Sequence, residues 1–109
     1  MSENKPKTET TNTVSEEYLA DFRGYLRITT DKLDGEIRDL ILAARRDLVR
    51  VGVSTERAQD ETDPLIKRAI STYVKAEFGL DNEDADAYRA SYQMQRAELS
   101  LASAYREAT

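Results

Sequence analysis

Two acidic clusters and one arginine run are where this chain concentrates groups able to do chemistry. Glu56, Asp60, Glu61 and Asp63 lie close together, and Asp81-Asn82-Glu83-Asp84-Ala85-Asp86 forms a second acidic run. Carboxylates gathered this way suit a hard cation such as Mg²⁺ or Ca²⁺, the latter taking about six to eight oxygen ligands. Neither run has the pattern of such a loop. The first has no glycine for the sharp turn and no alternating ligand spacing; the second has alanine at its fifth position and no glycine at its sixth. Acids at these places fit better as helix-end groups, where negative charge meets the positive end of a helix dipole. No metal or cofactor is therefore expected. The arginines are Arg45, Arg46 and Arg50. A triplet of this kind can hold a phosphate, but it ends a segment in which Asp31, Asp34, Glu36, Asp39 and Asp47 balance Lys32, Arg38, Arg45, Arg46 and Arg50. With acids leading and bases trailing, the dipole and surface carboxylates account for it.

Other chemistry is narrowed by what the composition lacks. The chain has no cysteine and no histidine, which removes disulfides, thiolate and imidazole metal sites, cysteine nucleophiles and histidine-based triads. Catalysis would have to rest on carboxylates, Tyr, Lys or Ser, and no phosphate-cradling glycine loop, nucleophile elbow or Walker-type lysine is present. An enzyme is not expected. With 21 acidic against 16 basic residues the net charge is -5, and no stretch has the cationic excess that grips a phosphate backbone. No apolar run approaches the roughly 18 residues of a membrane span, so no membrane partner is expected.

Helices must position whatever these groups do. Hydrophobic residues make up 39% and charged residues 34%, with four glycines and two prolines; this supply suits amphipathic helices with wet outer faces and one modest core. The composition and patterning predict an all-α bundle of about four helices. Residues 1–13 (MSENKPKTETTNT) offer almost nothing apolar to bury and are expected to be a disordered tail, dispensable for folding. The helical domain is then 14–109.

A first helix, about Ser15 to Leu26, places Tyr18, Leu19, Phe22, Tyr25 and Leu26 on one side, while Gly24 suggests close approach of a neighbouring backbone. Thr30 or Asp31 can cap a second, roughly Lys32 to Val51, with Leu33, Ile37, Leu40, Ile41, Ala44, Leu48 and Val51 as its stripe and Gly52 as its stop. A loop from Val53 to Thr62 follows. Asp63 and Pro64 then form the strongest start signal in the chain. Leu65, Ile66, Ala69, Ile70, Tyr73, Val74 and Phe78 line one face, Gly79 ends the helix, and Leu80 can fold back on Val74. The last helix should run from about Glu83 to Arg106 with Asp81 or Asn82 as cap. It presents two stripes. Ala85, Tyr88, Tyr92 and Leu99 form one; Met94, Leu101 and Tyr105, with Ala90, Ala97 and Ala104, spread apolar surface onto a neighbouring face that can meet a partner.

Tyr25-Leu26-Arg27-Ile28, Leu40-Ile41-Leu42-Ala43-Ala44 and the run from Asp63-Pro64-Leu65-Ile66-Lys67 to Phe78-Gly79, in this order and spacing, resemble the head-tail connector (adaptor, or head-completion) proteins of tailed bacteriophages and prophages. The resemblance covers about Val14 to Tyr105. It implies a structural subunit of the virion, made in the bacterial host cytoplasm, that joins copies of itself in a ring of about twelve under the portal protein. Such a ring extends the DNA channel and docks the stopper or tail-completion protein, and an acidic channel wall lets genome DNA pass without sequence-specific binding. In the family the C-terminal segment tends to reach the portal, which would give Met94, Leu101, Tyr105 and Arg106 a role as the portal interface. Truncation after Ala97 should then leave a folded helical domain that no longer docks. The alternative is a small helical regulatory or antitoxin-like binding protein, motivated by the two central helices and the Arg45, Arg46, Arg50 cluster.

Overall fold

The computed structural model describes residues 13–79 and 82–106, and within them the fold is helical: α1 (Glu16–Leu26), α2 (Asp34–Arg50), a single-turn α3 (Thr55–Ala58), α4 (Pro64–Glu77) and α5 (Ala85–Leu101), closed by a 3-10 turn at Ser103–Tyr105. The α3 turn stands where the sequence predicts a plain loop; the Ser54 hydroxyl caps it by accepting the Arg57 N–H at 3.1 Å. The expected N-terminal tail as far as Asn12, the fold-back of Leu80 and the cap at Asp81 lie outside the described residues.

Local signals set most helix ends. The Ser15 hydroxyl accepts the Tyr18 N–H at 3.1 Å to start α1. Asp63 starts α4, one carboxylate oxygen accepting the Leu65 and Ile66 N–H groups at 2.9 and 3.2 Å. Gly52, at φ 116°, stops α2 as expected: its N–H reaches the Val49 carbonyl and that of Val53 reaches Leu48, both at 3.0 Å. This is the doubled closure that a left-handed residue past a helix end permits.

Three expectations need correction. Gly24 has nothing within 4 Å of where a Cβ would stand, so it marks no close backbone approach; it lies on the exposed side of α1. The left-handed stop of α1 falls to Arg27 at φ 60°. Helix α2 begins at Asp34, because the Thr30 hydroxyl accepts the Lys32 N–H in a local turn, and Leu33 stays 38% exposed outside the helix. Helix α5 begins at Ala85, with Asn82 accepting the Asp84 N–H in the turn before it instead of capping it, and stops at Leu101 without continuing to Arg106. Beyond it the backbone finds partners elsewhere: the Tyr105 carbonyl accepts the Ser54 N–H at 2.7 Å, and Arg106 forms an isolated antiparallel bridge with Val53.

Helix α4 packs against α1, α2 and α5, which makes it the centre of the bundle. Phe22 and Leu19 of α1, Ile37, Ile41 and Leu48 of α2, and Ile66, Ile70 and Val74 of α4 are fully enclosed. The molecule measures 44 × 34 × 20 Å; a helix with side chains is about 10–12 Å across, so its thinnest dimension holds two layers. In such a slab each helix has one face inside and the rest outside.

Candidate docking surface on the last helix

The inner face of α5 is fastened to α2 and α4. Tyr92 and Leu99 are buried. The Tyr92 hydroxyl and the Arg96 guanidinium both donate to Asp47 Oδ2 at 2.7 Å, and Arg50 donates to Oδ1 of the same carboxylate at 2.8 Å. Burial works to raise the Asp47 carboxyl, but the hydrogen bonds from Tyr92, Arg50 and Arg96 outweigh it and hold its pKa below the ordinary carboxylate value. Burial and the same carboxylate push the Tyr92 phenol up. Tyr73 of α4 meets the Tyr92 ring edge-on, with centroids 5.2 Å apart. Nearer the start of α5, Arg89 donates to Glu77 at 2.9 Å and to Asp86 at 3.1 Å.

The outer face has none of this. Ala90, Met94, Ala97 and Leu101 recur at steps of four, three and four, which keeps them on one side of a helix, and all four are exposed. Met94 is 67% exposed and Leu101 77%. From Ala90 to Leu101 this stripe runs about 16 Å at 1.5 Å per residue. Between its two large apolar side chains, Met94 and Leu101, lie the small Ala97 and the exposed Glu98, so the apolar surface has a charged edge.

The four residues proposed from sequence as a portal contact are thereby divided. Met94 and Leu101 face outward together. Tyr105 is half-buried against the core: its hydroxyl donates to Asp63 Oδ1 at 3.2 Å, and its ring lies 5.5 Å from the Arg57 guanidinium carbon. Burial first, then that carboxylate, raises its phenol pKa. Arg106 is exposed, with its backbone tied to Val53. Tyr105 and Arg106 thus belong to a strap that returns from α5 to the loop after α2. The strap corrects the expectation about truncation, because cutting after Ala97 removes both the buried Leu99 and this strap from the fold.

The candidate chemistry resolves into structure in the same way. Glu61 accepts the Ser15 N–H and hydroxyl at 3.0 and 2.6 Å and pairs with Arg45 at 3.2 Å. Arg45, 5% exposed, also donates to the Thr13 carbonyl at 2.8 Å, so this pair anchors the start of the domain. Asp60 Oδ1 accepts from both the N–H and the hydroxyl of Thr62. The three arginines are divided: Arg45 is inside, Arg50 is engaged by Asp47, and Arg46 is exposed, although Arg46 and Arg50 line one recess with Arg89, Arg96, Asp47 and Glu77.

Sequence periodicity did not reveal the Asp47 junction. Its one local signal is Tyr92 and Arg96, four residues apart on the inner face, which share an acceptor that only folding supplies.

The fold is thin and all-helical among the described residues, ties many of its charged groups to one another, and leaves Met94 and Leu101 exposed on its last helix. The sequence profile of the phage connector protein family matches residues 18–106, and the chain belongs to that family, a structural family of head-tail connectors in the phage virion. No curated protein and no solved structure matches the chain. Among the described residues no helix is long and apolar enough to cross a membrane.

Proposed function

We propose that the protein is an adaptor subunit that joins copies of itself in a ring of about twelve under the portal, extends the DNA channel and receives the stopper or tail-completion protein on its far side. Assembly takes place in the host cytoplasm before the virion is complete. Within this proposal the portal contact is made by Met94 and Leu101, with Arg106 adding a polar contact from the strap and Tyr105 holding that segment in place. The observation that carries it is the family match over residues 18–106; the exposed stripe from Ala90 to Leu101 supports the choice of surface. A slab two helices thick has little core of its own, so apolar area covered on assembly adds to a modest folding stability. Genome DNA would pass a subunit of net charge -5, whose field repels phosphates and leaves the strand free to slide.

Mixing the purified chain with portal rings and imaging the product by electron microscopy tests the proposal. The expected product is a portal ring capped by an added tier of density. Bare portal rings at high concentrations of both components would refute it. A Met94→Ser, Leu101→Ser double variant that still caps the portal would move the contact to another surface.

A further inference from the structure

The opposite end of α5 borders a recess with a different character. A groove of about 350 Å³ opens between the end of α1, the end of α4 and the first turn of α5, where Tyr25, Arg27, Lys75, Phe78 and Tyr88 line it. No acidic side chain does so among the described residues. Arg27 and Lys75 take part in no ion pair among those residues, although most other cations of the bundle do. The Lys75 ammonium sits between two rings, 5.9 Å from the centroids of both Tyr25 and Tyr88. Arg27 keeps a left-handed backbone at φ 60°, a conformation that disfavours every L side chain and that glycine adopts freely.

We propose that this groove binds an acidic peptide segment of a partner protein. A carboxylate of the segment lies between Arg27 and Lys75, and an adjacent apolar side chain rests on Tyr25, Phe78 and Tyr88. Charge complementarity favours this occupant: two cations without carboxylate partners among the described residues are set in an aromatic recess on a chain of net charge -5. Duplex DNA fits less well, because it brings about one charge per 1.7 Å against a surface that is acidic overall. A short segment with one or two carboxylates meets little of that repulsion. The site is independent of the proposed portal contact, since Tyr88 and Leu101 are about 20 Å apart along α5 and the test uses neither portal nor ring.

The test is fluorescence anisotropy of the full chain with a labelled glutamate-rich octapeptide carrying one central leucine, its lysine-rich counterpart serving as control. Saturable binding of the acidic peptide alone is expected, weakened about tenfold or more by Lys75→Glu and by Arg27→Gly, in line with the loss of a charge-assisted hydrogen bond. Arg27→Gly should at the same time raise the Tm, because glycine relieves the left-handed strain. A loss of binding with a gain of stability separates ligand contact from a structural role. No saturable binding of the acidic peptide, equal binding by both variants, or tighter binding of duplex DNA or oligo-dT than of the peptide would each overturn the proposal.

Discussion

The two faces of α5 draw on the same kinds of residue and end in opposite states. On the inner face Tyr92 and Leu99 are about 5% exposed, and polar neighbours reach across to Asp47 and Glu77. On the outer face Met94 and Leu101 are mostly exposed, with Ala97 and the equally exposed Glu98 between them. Helical spacing treats both stripes alike, so periodicity alone does not say which one the chain covers itself. What separates them is the partner each meets. The inner stripe faces α4 and the carboxylate of α2, whereas the outer stripe faces nothing that the described chain supplies. The inner face therefore governs folding, and the outer face is the one proposed for assembly.

The largest effect should come from the inner face. Leu99→Ala leaves a cavity beside the end of α5 and should lower unfolding stability by about 2–5 kcal/mol, measured by urea denaturation. Truncation after Ala97 removes Leu99 together with the Tyr105 strap and should cost more, leaving a chain that melts far below the full-length protein or fails to fold. A truncated chain with an unchanged melting curve would show that the strap and Leu99 do not hold α5, and the contrast between the faces would collapse.

Next in size is the Asp47 junction, where the effect depends on pH. The folded pKa of Asp47 lies below its ordinary value of 3.8. The unfolded state therefore binds more protons between the two values, and stability rises with pH through that window. The contribution is fully present above about pH 5, begins to fail as pH nears 3.8, and is gone below the lowered folded value. Asp47→Asn should cost about 1–2 kcal/mol at neutral pH and make the acid limb of a Tm-versus-pH curve shallower. The limb will not become flat, since the Asp60 carboxyl is also held low by Thr62. An acid limb identical to that of the parent chain would mean that the network does not support the ionised form.

Tyr105→Phe is a smaller test of the strap. It deletes one hydroxyl bond, to a carboxylate that also caps α4, and keeps the half-buried ring. A loss of about 0.5–1.5 kcal/mol is expected, with faster amide exchange at Ser54, whose N–H is held by the Tyr105 carbonyl. Unchanged exchange at Ser54 would show that the strap is fixed by its backbone alone.

Local sequence signals foretold the all-α class, from apolar spacing, and the cap at Asp63, which depends on residues three or fewer positions apart. The Gly52 stop was legible because a glycine just past an apolar stripe is itself the local signal. Endings decided by distant partners were not. The stop at Leu101 depends on Ser54 and Val53 accepting the returning chain, and the role of Arg45 depends on Glu61 and Thr13 arriving from other elements. The candidate site was half legible for a related reason: the apolar spacing marked Met94 and Leu101, but extending that helix to Arg106 put Tyr105 on the outer surface. The turn at Ala102 sends it back against Asp63.

The smallest effect on folding belongs to the outer stripe, and it is the one that sharpens the comparison most. Met94→Ser with Leu101→Ser replaces two exposed apolar side chains that pack on no buried neighbour of their own stripe. Surface changes of this kind stay within about 0.5 kcal/mol each, and loss of helix propensity from serine accounts for most of that. The double variant should therefore melt within a few degrees of the parent while losing portal capping. A large fall in Tm would mean that the stripe already serves the fold, so the two faces would not differ in kind. Full stability with full portal capping would instead leave the stripe as ordinary apolar surface. Only retained folding with lost docking fits a helix whose one face completes the subunit and whose other face joins it to the assembly.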